Sequence, residues 1–176
     1  MGRSRATGDV LEIAAGTARN LAYYPSGVRV TGVELTPQMA EIGQTRAAEL
    51  GREIDLRVGD AESLDFSDDS FDTVVCTYGL CTIPDDQAAV REAKRVLRPG
   101  GRFLLAEHVR SPNRLVRTIQ RILDPIAHRF GGDHLLREPV NHLSTEGFVI
   151  EELIRSKAGY VEVVSARKPA TEPATI

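Results

Sequence analysis

The apolar positions of this chain fall into short blocks separated by polar turns, and their period switches along the sequence. Val10-Leu11-Glu12-Ile13 lacks the alternation of a surface strand and reads as a strand buried on both faces. It passes into a turn of small residues, Ala14-Ala15-Gly16-Thr17-Ala18, and then a helix at Arg19-Asn20-Leu21-Ala22. Pro25-Ser26-Gly27 breaks the chain before a β-rich run, Val28 to Glu34. Thr36-Pro37 predicts an N-cap with proline at the first helical position. The helix it opens carries Met39, Ile42, Ala47 and Leu50 and stops at Gly51. Ile54 to Val58 alternates as a strand and ends in Gly59-Asp60-Ala61-Glu62, and Phe71 to Thr77 is a further buried strand. From about Asp85 to Leu97 a helix turns Ala89, Val90, Ala93, Val96 and Leu97 inward. Pro99-Gly100-Gly101 ends it before a fifth strand, Arg102 to Glu107.

Strands and helices alternating at this spacing predict a doubly wound α/β sheet, because parallel neighbours need crossover helices. The pattern then changes. Ser111-Pro112 opens a longer amphipathic helix, interrupted at Asp124-Pro125. Phe148 to Ile154 and Gly159 to Ala166 are strands joined by too few residues for a helix. They predict an antiparallel hairpin on the sheet edge, which brings the strand count to seven. Residues 1–168 read as one domain, and 169–176 as a disordered tail. In such a fold the first strand and its turn direct backbone N–H groups into the crevice at the carboxyl end of the sheet.

Composition narrows the classes. With 41% hydrophobic and 27% charged residues, 176 residues suffice for an ordinary soluble core. A net charge of −3 argues against nucleic acid held by bulk electrostatics. No apolar run approaches a membrane span, and Met1-Gly2-Arg3-Ser4-Arg5 has no signal-peptide character. Two closely spaced cysteines, Cys76 and Cys81, suit a reducing cytoplasm better than a disulfide scaffold.

These residues resemble the class I methyltransferases that use S-adenosylmethionine (SAM) and release S-adenosylhomocysteine. Glu12-Ile13-Ala14-Ala15-Gly16-Thr17-Ala18 matches the register of that family's acidic, glycine-rich first motif, with alanine at two glycine positions. Glu34 stands where the family places its ribose-binding acid, and Gly59-Asp60-Ala61 resembles the adenine-binding motif. Phe71-Asp72-Thr73-Val74-Val75 and Arg95 to Gly101 look like motifs of the ubiquinone-biosynthesis-like, methyltransferase type 11 branch. Cys76 to Cys81, Ala106-Glu107-His108-Val109 and Leu123-Asp124-Pro125 look like thiol methyltransferases and bacterial phospholipid N-methyltransferases.

The resemblance implies a Rossmann-like fold, here without the helices that usually cover the N-terminal side. It also implies cofactor contacts from Glu12, Ala14 and Gly16, from Glu34 and Leu35, from Asp60 and Ala61, and from Thr77 and Tyr78. Glu12 is expected to orient the loop amides or meet the cofactor's ammonium group. A carboxylate at Glu34 can accept from both ribose hydroxyls; its removal should weaken cofactor binding and leave the fold intact. A nicotinamide fingerprint fails, because its third small position falls on Arg19.

Methyl transfer from a sulfonium is largely a positioning problem. A thiol, with a pKa near ~8.5, ionises with little help and is the leading acceptor. Phospholipid or other amine methylation is the first alternative. A SAM-binding domain completed by a partner or an N-terminal segment is the second. A hydroxyl or ammonium acceptor needs a base, for which His108 leads over Asp124 and His128. No metal is expected: Pro125 disrupts the face shared by Asp124 and His128, which with Asp133 and His134 form the only tempting cluster. Arg114, Arg117 and Arg121 form one face of the 110–129 segment, and Leu115, Ile119, Ile122 and Ile126 another. A solvated face is the plain reading, and contact with anionic lipid the sharper one. Homodimerisation over an exposed apolar edge is a further expectation.

Overall fold

The computed structural model describes residues 5–131, 134–156 and 158–170. Seven strands form one sheet: β1 (Asp9–Ile13), β2 (Arg29–Glu34), β3 (Asp55–Val58), β4 (Phe71–Thr77), β5 (Leu97–His108), β6 (Val149–Arg155) and β7 (Val161–Arg167). Their spatial order is β3-β2-β1-β4-β5-β7-β6. The first five run parallel, and β7 is antiparallel to both β5 and β6. The sheet reverses its winding at β1, so the turns after β1 and β4 diverge and leave a crevice at their carboxyl ends. The expected α/β architecture and terminal hairpin are both present.

The helices divide between the faces. α2 (Asp86–Val96) buries Ala89, Val90, Ala93 and Val96, and Asp85 caps it by accepting from the Ala88 amide at 2.9 Å. α4 (Pro139–Thr145) adds Leu143 to the same core. There Phe103 and Phe148 meet with ring centroids 5.8 Å apart. A second cluster, of Val10, Ala18, Leu21, Tyr24, Val30 and Ala47, lies on the side of α1 (Pro37–Glu49).

Several local expectations change. α1 buries Ala40, Gly43 and Ala47 and leaves Met39 and Ile42 exposed, because small side chains let it approach β3 closely. Thr36 makes no side-chain cap. The segment after the first turn is a short 3-10 helix, Arg19–Tyr23, entered through a left-handed Ala18. Pro99-Gly100-Gly101 lies inside β5 rather than before it. Gly100 adopts φ +80°, and the amides of Gly100 and Lys168 pair across to Lys168 and Gly101 at 2.9 Å each. α3 (Arg114–Gly131) runs through Pro125 without interruption. Pro125 faces solvent, while the turns around it are anchored by Gln120 and Asp124. α4 had no counterpart in the hydrophobic pattern, being only seven residues long. The tail positions 171–176 lie outside the described residues.

Glu12 is buried within β1, opposite Gly32 and Val75. Its carboxylate accepts from Asn20 Nδ2 at 2.7 Å and Tyr24 Oη at 2.9 Å, tying the 3-10 helix to the sheet. Burial raises its pKa from the ordinary 4.5 to about 7, against the lowering pull of those two hydrogen bonds. Between these values the folded state holds a proton that the unfolded chain has lost. Stability from this group is therefore full below about pH 4.5 and declines as pH rises through about 7. In urea titrations, the parent should lose on the order of 3 kcal/mol more than Glu12→Gln between pH 4.5 and pH 8. Parallel stability profiles would show that the carboxyl is not protonated in the folded state.

Candidate active site

Everything that lines the crevice is set at the ends of the parallel strands. After β1, the chain places Ala14, Gly16 and Ala18 in left-handed conformations, with φ of 50°, 56° and 53°. Such geometry costs about 1–3 kcal/mol at each non-glycine residue and persists only where its surroundings enforce it. The Ala15 and Ala18 amides donate to Val33 O and Ala15 O at 2.9 Å each, and the Gly16 amide is left to an oxyanion. The oxyanion on hand is Glu34. Its Oε2 accepts from Gly16 N at 2.8 Å, and its Oε1 from Thr36 N at 2.9 Å. A single buried carboxylate thus holds both the β1 turn and the exit of β2. It is Glu34, not Glu12, that orients the loop amide, because Glu12 is committed to Asn20 and Tyr24. Each Glu34 oxygen keeps a second lone pair for a hydroxyl donor.

Leu35 follows as an exposed apolar wall. The end of β3 is drawn to β2 by Gly59 N, which donates to Glu34 O at 3.0 Å. Asp60 then turns the chain by accepting from Glu62 N at 2.9 Å; no helix follows, and Ala61 is buried beneath.

The far wall comes from β4 and β5. Thr77 ends β4, and Tyr78 adopts φ 54° with its amide donating to Ala106 O at 2.8 Å. The Tyr78 ring lies against the His108 imidazole, centroids 4.5 Å apart and planes inclined by 31°. His108 is half-buried, and its Nδ1 is buried with no hydrogen-bond partner among the described residues. Gly79 is required by close approach: a Cβ there would come within 2.6 Å of Ala14 Cβ and 2.8 Å of Cys76 Sγ. The two turns therefore touch.

Glu107 holds that contact from below. Fully buried, it accepts from Gly79 N at 2.7 Å and Leu80 N at 2.9 Å, with Cys76 Sγ at 3.5 Å. Burial pushes its pKa up, and burial likewise pushes the Cys76 thiol well above its ordinary value. Neither is a nucleophile or base open to the crevice. In the sequence Glu107 has only a place in a resemblance, although a charged residue in so apolar a strand is itself a signal. Arg137 was also missed. Its guanidinium donates to the carbonyls of Leu80 and Ile83 and fixes the loop after β4 from outside.

The sequence-predicted cofactor residues and His108 thus gather around the ends of β1 to β5. Asp124 and His128 do not join them. Asp124 accepts from Leu135 N at 2.7 Å, and His128 stacks on His134 with centroids 4.3 Å apart. Asp133 lies outside the described residues. Because α3 is continuous, Pro125 does not break the face that Asp124 and His128 share. Among the described residues, no three histidine, cysteine or acidic side chains are grouped as metal ligands would be. A separate cleft of about 310 Å³ opens on the sheet face between Tyr23, Leu104, Ile154 and Val163. No helix among the described residues lines it apart from the 3-10 turn.

Comparison with known proteins agrees with this geometry. A family model described as a methyltransferase domain matches residues 11–105. A human thiol S-methyltransferase is 35% identical over 147 residues, which cover 79% of this chain and 59% of that protein. A phosphatidylethanolamine N-methyltransferase of Cereibacter sphaeroides is 37% identical over 103 residues, covering 57% of this chain and 51% of that protein. The chain thus spans between about half and three fifths of these relatives. A crystal structure of a SAM-dependent methyltransferase from Methanosarcina mazei superposes with a TM-score of 0.75. It shares 22% identity, and the match covers 96% of this chain and 95% of that one. The family model covers more than half of the chain, and the fold and these relatives agree with it: the chain belongs to the class I, SAM-dependent methyltransferases.

Proposed function

We propose that this chain transfers the methyl group of SAM to a small-molecule nucleophile, and that the acceptor is a thiol. The observation that carries the reading is the placement of Glu34, sunk between the β1 turn and β2 with lone pairs to spare. It offers vicinal hydroxyls an acceptor beside the β1 turn. Asp60 and Ala61 flank that position from β3, and Leu35 offers an apolar surface beside it. These residues fit the ribose and adenine of SAM, and the Ala14–Gly16 turn with Thr77 and Tyr78 fits its amino-acid end. Bound there, SAM supplies an activated methyl group, and the chain's work is to orient it and its acceptor.

The acceptor side supports a thiol. Glu107, the carboxylate at the end of β5, is turned into the protein and committed to loop amides. The exposed chemistry is an aromatic ring, Tyr78, against the His108 imidazole. Such a wall suits an apolar thiol, which ionises by itself near pH ~8.5, with His108 beside it to receive the thiol's proton. Similarity to a thiol S-methyltransferase points the same way. An amine acceptor is the second reading. It is favoured by similarity to the phosphatidylethanolamine N-methyltransferase and by the arginine-flanked surface of α3.

Release of S-adenosylhomocysteine from SAM should appear with aromatic and aliphatic thiols and rise with pH as the thiol ionises. His108→Ala should lose turnover mainly below pH 8 and recover toward the parent at pH 9. Turnover with phosphatidylethanolamine alone would establish the amine reading. Cofactor binding without turnover on either panel would mark a binding domain that does not catalyse unaided.

Loss of Glu34 leaves the amides of Gly16 and Thr36 without an acceptor, so a cost in stability accompanies the weaker cofactor binding even where the fold stays intact. Glu34→Ala should weaken S-adenosylhomocysteine binding at least about tenfold by calorimetry, and also lower stability by about 1–3 kcal/mol. Unchanged affinity would place the ribose elsewhere.

A further inference from the structure

α3 is mounted with its polar side inward. Gln120, which is buried, accepts from Ser111 N at 2.8 Å and donates to the carbonyls of Val109 and Leu135. One turn on, Asp124 accepts from Leu135 N. These bonds fix the rotation of the helix about its axis. They leave Leu115, Ile119, Ile122 and Ile126 outward, at 72%, 50%, 66% and 55% exposure. The spacing of four, three and four residues makes them one continuous stripe, along a helix roughly 27 Å long. A surface helix ordinarily presents the opposite arrangement, so this stripe is built to meet something apolar.

The flanking charge says what. Arg114, Arg121 and Arg129 are exposed, and with Arg117 they give the helix four arginines against one aspartate in a chain of net charge −3. Among the described residues, the only ion pair in the 110–129 segment is that of Arg110 with Glu138. No helix of the described residues is long and apolar enough to cross a membrane. A stripe of branched aliphatic side chains beside a row of unpaired guanidinium groups is the pattern of a helix lying in the plane of an anionic bilayer. A second copy packed α3 against α3 would offer these arginines only Asp124, which is already engaged with Leu135.

We propose that α3 is a membrane-surface helix that docks this domain on anionic lipid. Leu115, Ile119, Ile122 and Ile126 enter the acyl boundary, and Arg114, Arg121 and Arg129 engage the phosphates. The inference rests on the mounting of α3 and is independent of the acceptor's identity. α3 follows directly on the strand that ends in His108, so docking would hold the carboxyl ends of the strands at the lipid surface.

The test is co-sedimentation with vesicles of phosphatidylcholine alone and of phosphatidylcholine with phosphatidylglycerol, without SAM. The parent should bind the phosphatidylglycerol vesicles and release them as salt rises. Ile119→Gln with Ile122→Gln should weaken binding about tenfold or more. Arg114→Gln, Arg121→Gln and Arg129→Gln together should weaken it about a hundredfold. All these positions are exposed, and unchanged thermal unfolding and S-adenosylhomocysteine binding should show that each variant is folded. Absence of parent binding, equal binding to phosphatidylcholine alone, or binding indifferent to both sets of substitutions would overturn the proposal. A parent that ignores vesicles but dimerises in analytical ultracentrifugation, and becomes monomeric with the isoleucine changes, would assign the stripe to a second copy instead.

Discussion

The structure of the crevice depends on carboxylates sunk into the sheet that gather the amides of the loops above them. Glu34 does this for the first turn, taking the Gly16 and Thr36 N–H groups onto separate oxygens. Glu107 does it for the turn after β4, gathering the amides of Gly79 and Leu80. Each replaces a water shell with fixed donors, so the loops cannot drift without stranding a buried carboxyl group. The left-handed alanines at 14 and 18 and the left-handed Tyr78 are tolerable under that constraint.

The arrangement separates two jobs that acids near a methyl-transfer site could be asked to do. Glu12 and Glu107 are structural, buried and biased toward protonation. Glu34 and Asp60 are placed at strand ends, one beneath the β1 turn and the other on an exposed turn. The wall facing them presents a phenol ring against an imidazole, the Tyr78–His108 pair.

Much of this was legible in the sequence because it depends on local rules. Unalternating apolar runs marked the parallel strands, and Gly16, Glu34 and Asp60 stood at strand ends where period and turn residues change together. Misreadings arose where long-range contacts decide. Met39 and Ile42 look like a core face, but small Ala40, Gly43 and Ala47 win because the helix must come close to β3. Pro125 reads as a break, yet anchors supplied by Ser111, Val109 and Leu135 to Gln120 and Asp124 hold the turns that lead into it. Glu107 could not be given its role, since its partners lie about 27 residues away on another strand's exit. Glu12 and Glu34 could not be told apart as loop anchors for the same reason.

The position of β7 between β5 and β6 has a consequence for how the chain is made. Among the described residues β6 pairs with β7 alone, and β7 is the later of the two in sequence. On the ribosome, the five parallel strands can assemble while β6 waits outside with its backbone N–H and C=O groups unpaired. The edge closes only when residues 161–167 emerge and insert beside β5. The sheet is thus finished from the inside outward, its outermost strand synthesised before the strand that secures it. During that interval this one edge is the part of the nascent domain most open to pairing with the wrong neighbour.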